Sequence, residues 1–169
     1  ADYIGSNVLF RSTFNFGYMK PMFARDFLQR HDLAFDERLR IGEDYLLVAS
    51  ALASGATCAV EPSAGYIYHL REGSISRVLD LHHVDSMLAG DRVFLDRFSL
   101  SHDALVAQRR RTRSLLEARA FLTLVSHIKN RSAAGALRTA IDTPRALWHL
   151  RMPIAKRLRR LMPTSTPVS

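Results

Sequence analysis

The stretch from Leu33 to Ala56 reads LAFDERLRIGEDYLLVASALASGA. From Asp44 to Ala53 it is apolar on almost every side, and it ends before Gly55, a residue suited to the left-handed position that closes a helix. A helix apolar all round belongs in a core, so this segment predicts the centre of the fold. At its mouth, straight after Gly42, stand two acids, Glu43 and Asp44. Unpaired N–H groups and the helix dipole favour carboxylates at a helix N-terminus by roughly 0.3–1 kcal/mol. The same placement suits a general base, because the carboxylate is held on a rigid element and aimed out of the core. Spacing alone leaves both readings open.

Upstream, PMFARDFLQRH from Pro21 predicts a short helix, with Met22, Phe23, Phe27 and Leu28 near helical spacing. Leu33 to Arg40 predicts exposed turns. Downstream, TCAVEP reads as a short β-like run ended by Pro62, with Cys58 as a small buried hydrophobe. In GYIYHLREGSIS, Tyr66 and Tyr68 fall on one face of an extended strand while Ile67 and His69 fall on the other. Beyond Ser76 the pattern turns helical, with Leu81, Val84, Leu88, Leu95 and Phe98 as the predicted apolar stripe. Ser101 is placed to cap a long helix reaching about Asn130, and Thr143-Pro144 gives a cap followed by a first-turn proline. Pro153 interrupts the last turns, leaving IAKRLRRLM as a final basic segment and TSTPVS as a frayed tail.

With 169 residues, 47% of them hydrophobic, the chain can bury a core of one-domain size. Its single cysteine excludes an internal disulfide and a multi-cysteine zinc site. No run of about 18 apolar residues is present to span a bilayer. The start at Ala1, without a methionine, reads as a fragment. Charge is unevenly spread: residues 1–100 carry 10 Lys and Arg against 13 Asp and Glu, whereas residues 101–169 carry 14 against 3. The seam suggests an acidic front that holds the chemistry and a basic helical back; with the turn to a helical pattern beyond Ser76, the two parts are residues 1–80 and residues 81–169. His31-Asp32 and His82-His83 bring to mind a metal-dependent phosphohydrolase, but no further ligands at suitable separations complete such a site, and surface histidines are the simpler account.

The string GYMKPMFARDFLQRHDLAFDERLRIGEDYLLVASALASGA, followed by GYIYHLREGSIS, resembles the second half of family 2 glycosyltransferases of the GT-A fold, especially bacterial enzymes of exopolysaccharide assembly. The features that carry it are Phe35-Asp36-Glu37, Gly42-Glu43-Asp44, the buried helix ending in Gly55-Ala56, and a tyrosine strand running into Arg71, Gly73 and Ser74. The likeness covers about residues 5–80. It implies an α/β fold class, mainly α in this fragment: a partial GT-A fold with a few strands, followed by a helical C-terminal extension. It also implies an inverting transfer from a nucleotide-sugar donor to a saccharide or lipid-linked acceptor, with Asp44 as the catalytic base. Glu43 would orient the loop or touch the acceptor. His69, Arg71 and Ser74 would stand near the donor diphosphate, and Tyr18 and Lys20 would line an acceptor groove.

No Asp-x-Asp, glycine-rich phosphate loop or βαβ series occurs in the chain. The resemblance therefore implies a missing donor half, which would hold most ligands of the divalent metal (Mg or Mn) expected for the full-length enzyme. Alone, the chain is expected not to transfer sugar. Arg109, Arg110, Arg111 and Arg113, and later Lys156, Arg157, Arg159 and Arg160, form basic clusters readable as solvated helix faces. Two electrostatic readings compete with that one: contact with an anionic membrane through ALWHLRMPIAKRLRRLM, and binding of nucleic-acid phosphates. With no recognition motif or stacking platform for bases, the membrane ranks first. The expected location is cytoplasmic, peripheral on the inner face of the cytoplasmic membrane. The alternative to an enzyme is a non-catalytic basic helical module binding anionic membrane or nucleic acid.

Overall fold

The computed structural model describes residues 1–10, 15–16, 19–63, 65–67, 69 and 79–149. Among these, every regular element is a helix: α1 (Asp2–Ser6), α2 (Arg25–Arg30), α3 (Glu43–Ala53), α4 (Leu81–Arg97), α5 (His102–Lys129), α6 (Ala133–Asp142) and α7 (Pro144–His149). Ala1–Leu116 form one compact unit and Glu117–Ser169 a second.

In the first unit α3 is central, as its all-round apolarity requires. Tyr45 and Ala49 pack with Ile4, Phe94, Ala104 and Ala107. On the opposite side Leu47 and Ala51 pack with Leu33, Phe23, Phe27 and Leu28. The helix ends in a Schellman motif, with Ala56 N–H donating to the Ala51 carbonyl and Gly55 N–H to that of Leu52, while Gly55 sits at φ 92°. The same motif closes α2, through Leu33 N–H to the Leu28 carbonyl and Asp32 N–H to that of Gln29, with Asp32 at φ 49°. Arg97 of α4 then donates to the His31 and Asp32 carbonyls at 2.9 and 3.0 Å, giving partners to that helix end.

Several local expectations are corrected. Leu33–Arg40 is not a wholly exposed turn region, since Leu33 and Leu39 are buried. The turn itself is set by Asp36, whose carboxylate takes the Arg38 N–H and both arms of its guanidinium at 2.7–2.8 Å. Arg38 thereby holds the Asp36 carboxyl below its ordinary range. The short helix begins at Arg25, not Pro21, and Met22 is almost fully exposed. Residues 57–62 and the described residues of 65–69 form no strand, and Cys58, Tyr66, Ile67 and His69 are exposed. An extended run acquires strand character only through hydrogen bonds to a neighbouring strand, and none lies alongside among the described residues. Tyr68 lies outside the described residues.

α4 buries Val84, Met87, Gly90, Asp91 and Phe94, so the predicted stripe is rotated, and Leu95 is exposed. Its start is a capping box: Asp80 accepts from His83 N–H at 2.9 Å, and His83 Nδ1 accepts from Asp80 N–H. That accounts for His83 without a metal. Ser101 Oγ accepts from Ala104 N–H at 3.4 Å at the head of α5, and α7 begins at Pro144 as expected.

In the second unit the buried Glu117 of α5 holds α7, accepting from Arg145 at 3.0 Å and lying 3.6 Å from His149. The His149 ring also meets Phe121 edge-on. α5 ends in a third Schellman motif, with Arg131 at φ 54° in the position glycine usually takes. Residues 150–169, with the basic segment IAKRLRRLM, lie outside the described residues.

Candidate active site

Glu43 and Asp44 are the first two residues of α3, and Gly42 is its cap. Gly42 has φ 91°, and a β-carbon there would stand 3.0 Å from Met87 Cγ. Both features demand glycine: a side chain at this φ costs about 1–2 kcal/mol, and the methionine would also have to yield. Gly42→Ala is expected to lower stability by about 1–3 kcal/mol, read as a fall in the urea midpoint. An unchanged midpoint would show that the loop relaxes freely.

On the other side of the pair, Tyr45 is locked. Its hydroxyl donates to Gln108 Oε1 at 3.0 Å, its ring lies 3.5 Å from the Arg111 guanidinium carbon, and it stacks on Tyr3. Arg111 is buried and pairs with Asp91 at 3.1 Å. Gln108 donates to the same carboxylate at 2.8 Å, and Arg111 Nη1 donates to the Asn7 carbonyl at 3.0 Å. Burial pushes the Asp91 carboxyl above its ordinary range, against the opposing pull of Arg111 and Gln108. Arg111 is thus not part of a solvated basic face. Hydropathy periodicity could not reveal this, because a charged stripe residue looks like an exposed one until its partner is known.

Asp44 therefore sits half-buried between two fixed neighbours. Its carboxylate is close enough to Tyr3 to help raise that phenol's pKa, although burial is the main cause. Burial likewise raises that of Tyr45, whose proton is committed to Gln108, so both hydroxyls stay protonated. Glu43 presents a buried oxygen, Oε2, with no hydrogen-bond partner among the described residues. A buried unpaired acceptor costs about 1–3 kcal/mol, so a donor brought to this oxygen gains correspondingly.

The remaining predicted residues are less closely drawn together. Lys20 is exposed, with its Nζ 5.8 Å from the centre of the Tyr66 ring. That contact joins the segment before α2 to the one after α3. His69 is exposed. Tyr18, Arg71 and Ser74 lie outside the described residues. A groove of about 420 Å³ between α4 and α5, lined by Leu95, Leu105, Arg109, Thr112, Arg113 and Leu116 among others, includes none of them.

The chain is similar to succinoglycan biosynthesis proteins. It is 65% identical over 159 residues to succinoglycan biosynthesis protein ExoO of Rhizobium meliloti (strain 1021), a match covering 94% of this chain and 46% of that protein. It is 38% identical over 159 residues to succinoglycan biosynthesis protein ExoU of the same organism, covering 89% of this chain and 44% of the relative. The chain thus spans less than half the length of these curated relatives. No family model matches it, and no solved structure does.

No three His, Cys, Asp or Glu side chains converge among the described residues, and Glu43 and Asp44 alone make an incomplete ligand set.

Proposed function

We propose that this chain is the acceptor side of an inverting, family 2-like glycosyltransferase, a partial GT-A fold, acting in exopolysaccharide synthesis with Asp44 as general base. The observation that carries the reading is the half-buried Asp44 in the first turn of the central helix, bracketed by the fixed Gly42 and Tyr45. Similarity to two succinoglycan biosynthesis proteins supports the pathway.

The acceptor hydroxyl oxygen attacks the anomeric carbon of a nucleotide-linked hexose. As that C–O bond forms, the bond to the diphosphate breaks, and the diphosphate leaves with the electron pair. Asp44 takes the hydroxyl proton. A sugar hydroxyl is a very weak acid, so transfer to a carboxylate comes late, and placement of the base matters more than its strength. The first helical turn provides that placement. Glu43 Oε2, buried and without a donor among the described residues, suits a hydrogen bond from an acceptor hydroxyl and would orient it. Tyr3 is a protonated donor beside Asp44. Lys20 and Tyr18 are assigned to the acceptor groove, and His69, Arg71 and Ser74 to the neighbourhood of the departing diphosphate, where positive charge and hydrogen bonds offset the developing negative charge.

The test is a chimaera in which this chain replaces its matching 159-residue span in the ExoO relative, expressed in cells lacking ExoO. Restored succinoglycan, together with in vitro transfer from a nucleotide-sugar to membrane-extracted acceptor, is the expected result. A stably expressed chimaera that makes neither polymer nor transfer product sinks the reading.

A further inference from the structure

With Asp44 as the base, on which this rests, we propose that the Tyr3 phenol is a second catalytic group, donating a hydrogen bond to the acceptor oxygen whose proton Asp44 takes. The Tyr3 ring is held from several sides. It lies face to face with the Tyr45 ring, with centroids 5.7 Å apart and planes 9° from parallel. Phe16 flanks it at 6.5 Å, and its apolar body packs against the buried cluster around Ile4 and Phe94. The Tyr3 carbonyl accepts from Ser6 Oγ at 2.8 Å and from Asn7 Nδ2 at 2.9 Å. Tyr45 is itself anchored by Gln108 and Arg111, so the place of Tyr3 is tied to the helix whose first turn carries Asp44.

The two stacked tyrosines differ at their hydroxyls. Tyr45 gives its proton to Gln108 at 3.0 Å, whereas Tyr3 Oη has no hydrogen-bond partner among the described residues. Nor is Tyr3 Oη sealed in the interior: among those residues Glu43 Oε2 is the one fully buried side-chain oxygen without a partner. Tyr3 thus combines a fixed ring with a donor that reaches solvent and is not spent on the fold. Burial keeps that donor protonated well above neutral pH, and the Asp44 charge adds to the effect. Asp44 is half-buried, and its carboxylate has no hydrogen-bond partner among the described residues either. Donor and acceptor feel each other's charge and yet make no bond to each other.

A sugar hydroxyl is the group that uses both. It has one proton to give and two lone pairs to receive. Giving the proton to Asp44 and receiving the Tyr3 hydrogen bond on one lone pair leaves the second lone pair for the anomeric carbon. Two contacts fix the direction of attack where one leaves the oxygen free to swing, and that orientation is what a positioned base depends on.

The test uses the ExoO chimaera with UDP-glucose as donor and serial dilutions of membrane-extracted acceptor. Tyr3→Phe keeps the stacked ring and removes only the hydroxyl. Its kcat/KM for acceptor is expected to fall roughly tenfold, the value of one lost hydrogen bond of ordinary strength. Calorimetric affinity for UDP-glucose and the thermal midpoint are expected to stay at the parent's values, which a merely structural role would not allow. Asp44→Asn, run alongside, separates the two assignments. If it silences transfer while Tyr3→Phe works within a factor of two of the parent, Tyr3 loses its role and Asp44 keeps its own. If Asp44→Asn retains turnover, the base assignment fails and the role of Tyr3 with it. A lowered midpoint in Tyr3→Phe also overturns the proposal, because the hydroxyl would then serve the fold.

Discussion

Asp44→Asn in the chimaera is expected to cut sugar transfer by roughly 10²–10⁴-fold, the usual contribution of a positioned general base, and to leave nucleotide-sugar binding nearly intact. Asn keeps the shape of Asp and remains acceptable in a first helical turn. The change removes the proton acceptor and at most a helix-end interaction of about 0.3–1 kcal/mol. The thermal midpoint should therefore move little, which separates loss of chemistry from loss of fold. Glu43→Gln should act differently. It replaces a carboxylate whose buried oxygen has no partner among the described residues with an amide that can still accept a hydrogen bond, so a weaker apparent affinity for acceptor is expected rather than a lost turnover. Turnover within a factor of two of the parent in Asp44→Asn removes Asp44 from its role. A large effect of Glu43→Gln on turnover, with none on acceptor affinity, transfers the base assignment to Glu43.

Much of the central architecture could be read from residue pattern, and what escaped has specific causes. α3 was legible because apolarity on every side has one meaning and because Gly55 marks its end openly. The ends of α2 and α5 use the same Schellman geometry, but with Asp32 and Arg131 in the left-handed position, and neither residue type announces it. Ser101 and Thr143-Pro144 were readable since caps act through their own side chain or ring. The burial of Leu33 and Leu39 was not readable: both sit in a short polar stretch whose periodicity is too brief to show, and Leu33 is turned inward by packing on α3 while Leu39 lies against Gly90 of α4. The run at residues 57–62 forms no strand, because strand formation depends on a partner that local sequence does not specify. At the candidate site, the residue type and place of Asp44 were visible, whereas the network that fixes its neighbour was not. Asp91 and Arg111 are buried and joined across 20 positions of sequence, and each alone reads as surface.

That network supplies the second large effect. Arg111→Met is expected to destabilise the chain by about 3–5 kcal/mol, the usual consequence of removing one partner of a buried ion pair. For a chain of this length that is a fall of roughly 6–20 °C in midpoint. Three losses coincide: among the described residues the Asp91 carboxylate keeps only Gln108, the Asn7 carbonyl loses its Arg111 donor, and the Tyr45 ring loses the guanidinium stacked on it. The pH dependence identifies which loss dominates. Burial already pushes Asp91 upward, and losing the Arg111 charge removes the main opposing pull. With the folded-state pKa above the unfolded one, the folded state binds more protons in the window between the two, so stability rises as pH falls through that window. Arg111→Met should therefore be less impaired near about pH 5 than near about pH 7. Adding Asp91→Leu should recover much of the loss, since an apolar pair of similar volume can replace a buried ion pair at little cost. If the variant is equally impaired at both pH values and Asp91→Leu brings no recovery, the stranded carboxylate is not the cause, and the stability of this helix junction resides in the Tyr45 stacking and the Asn7 contact instead.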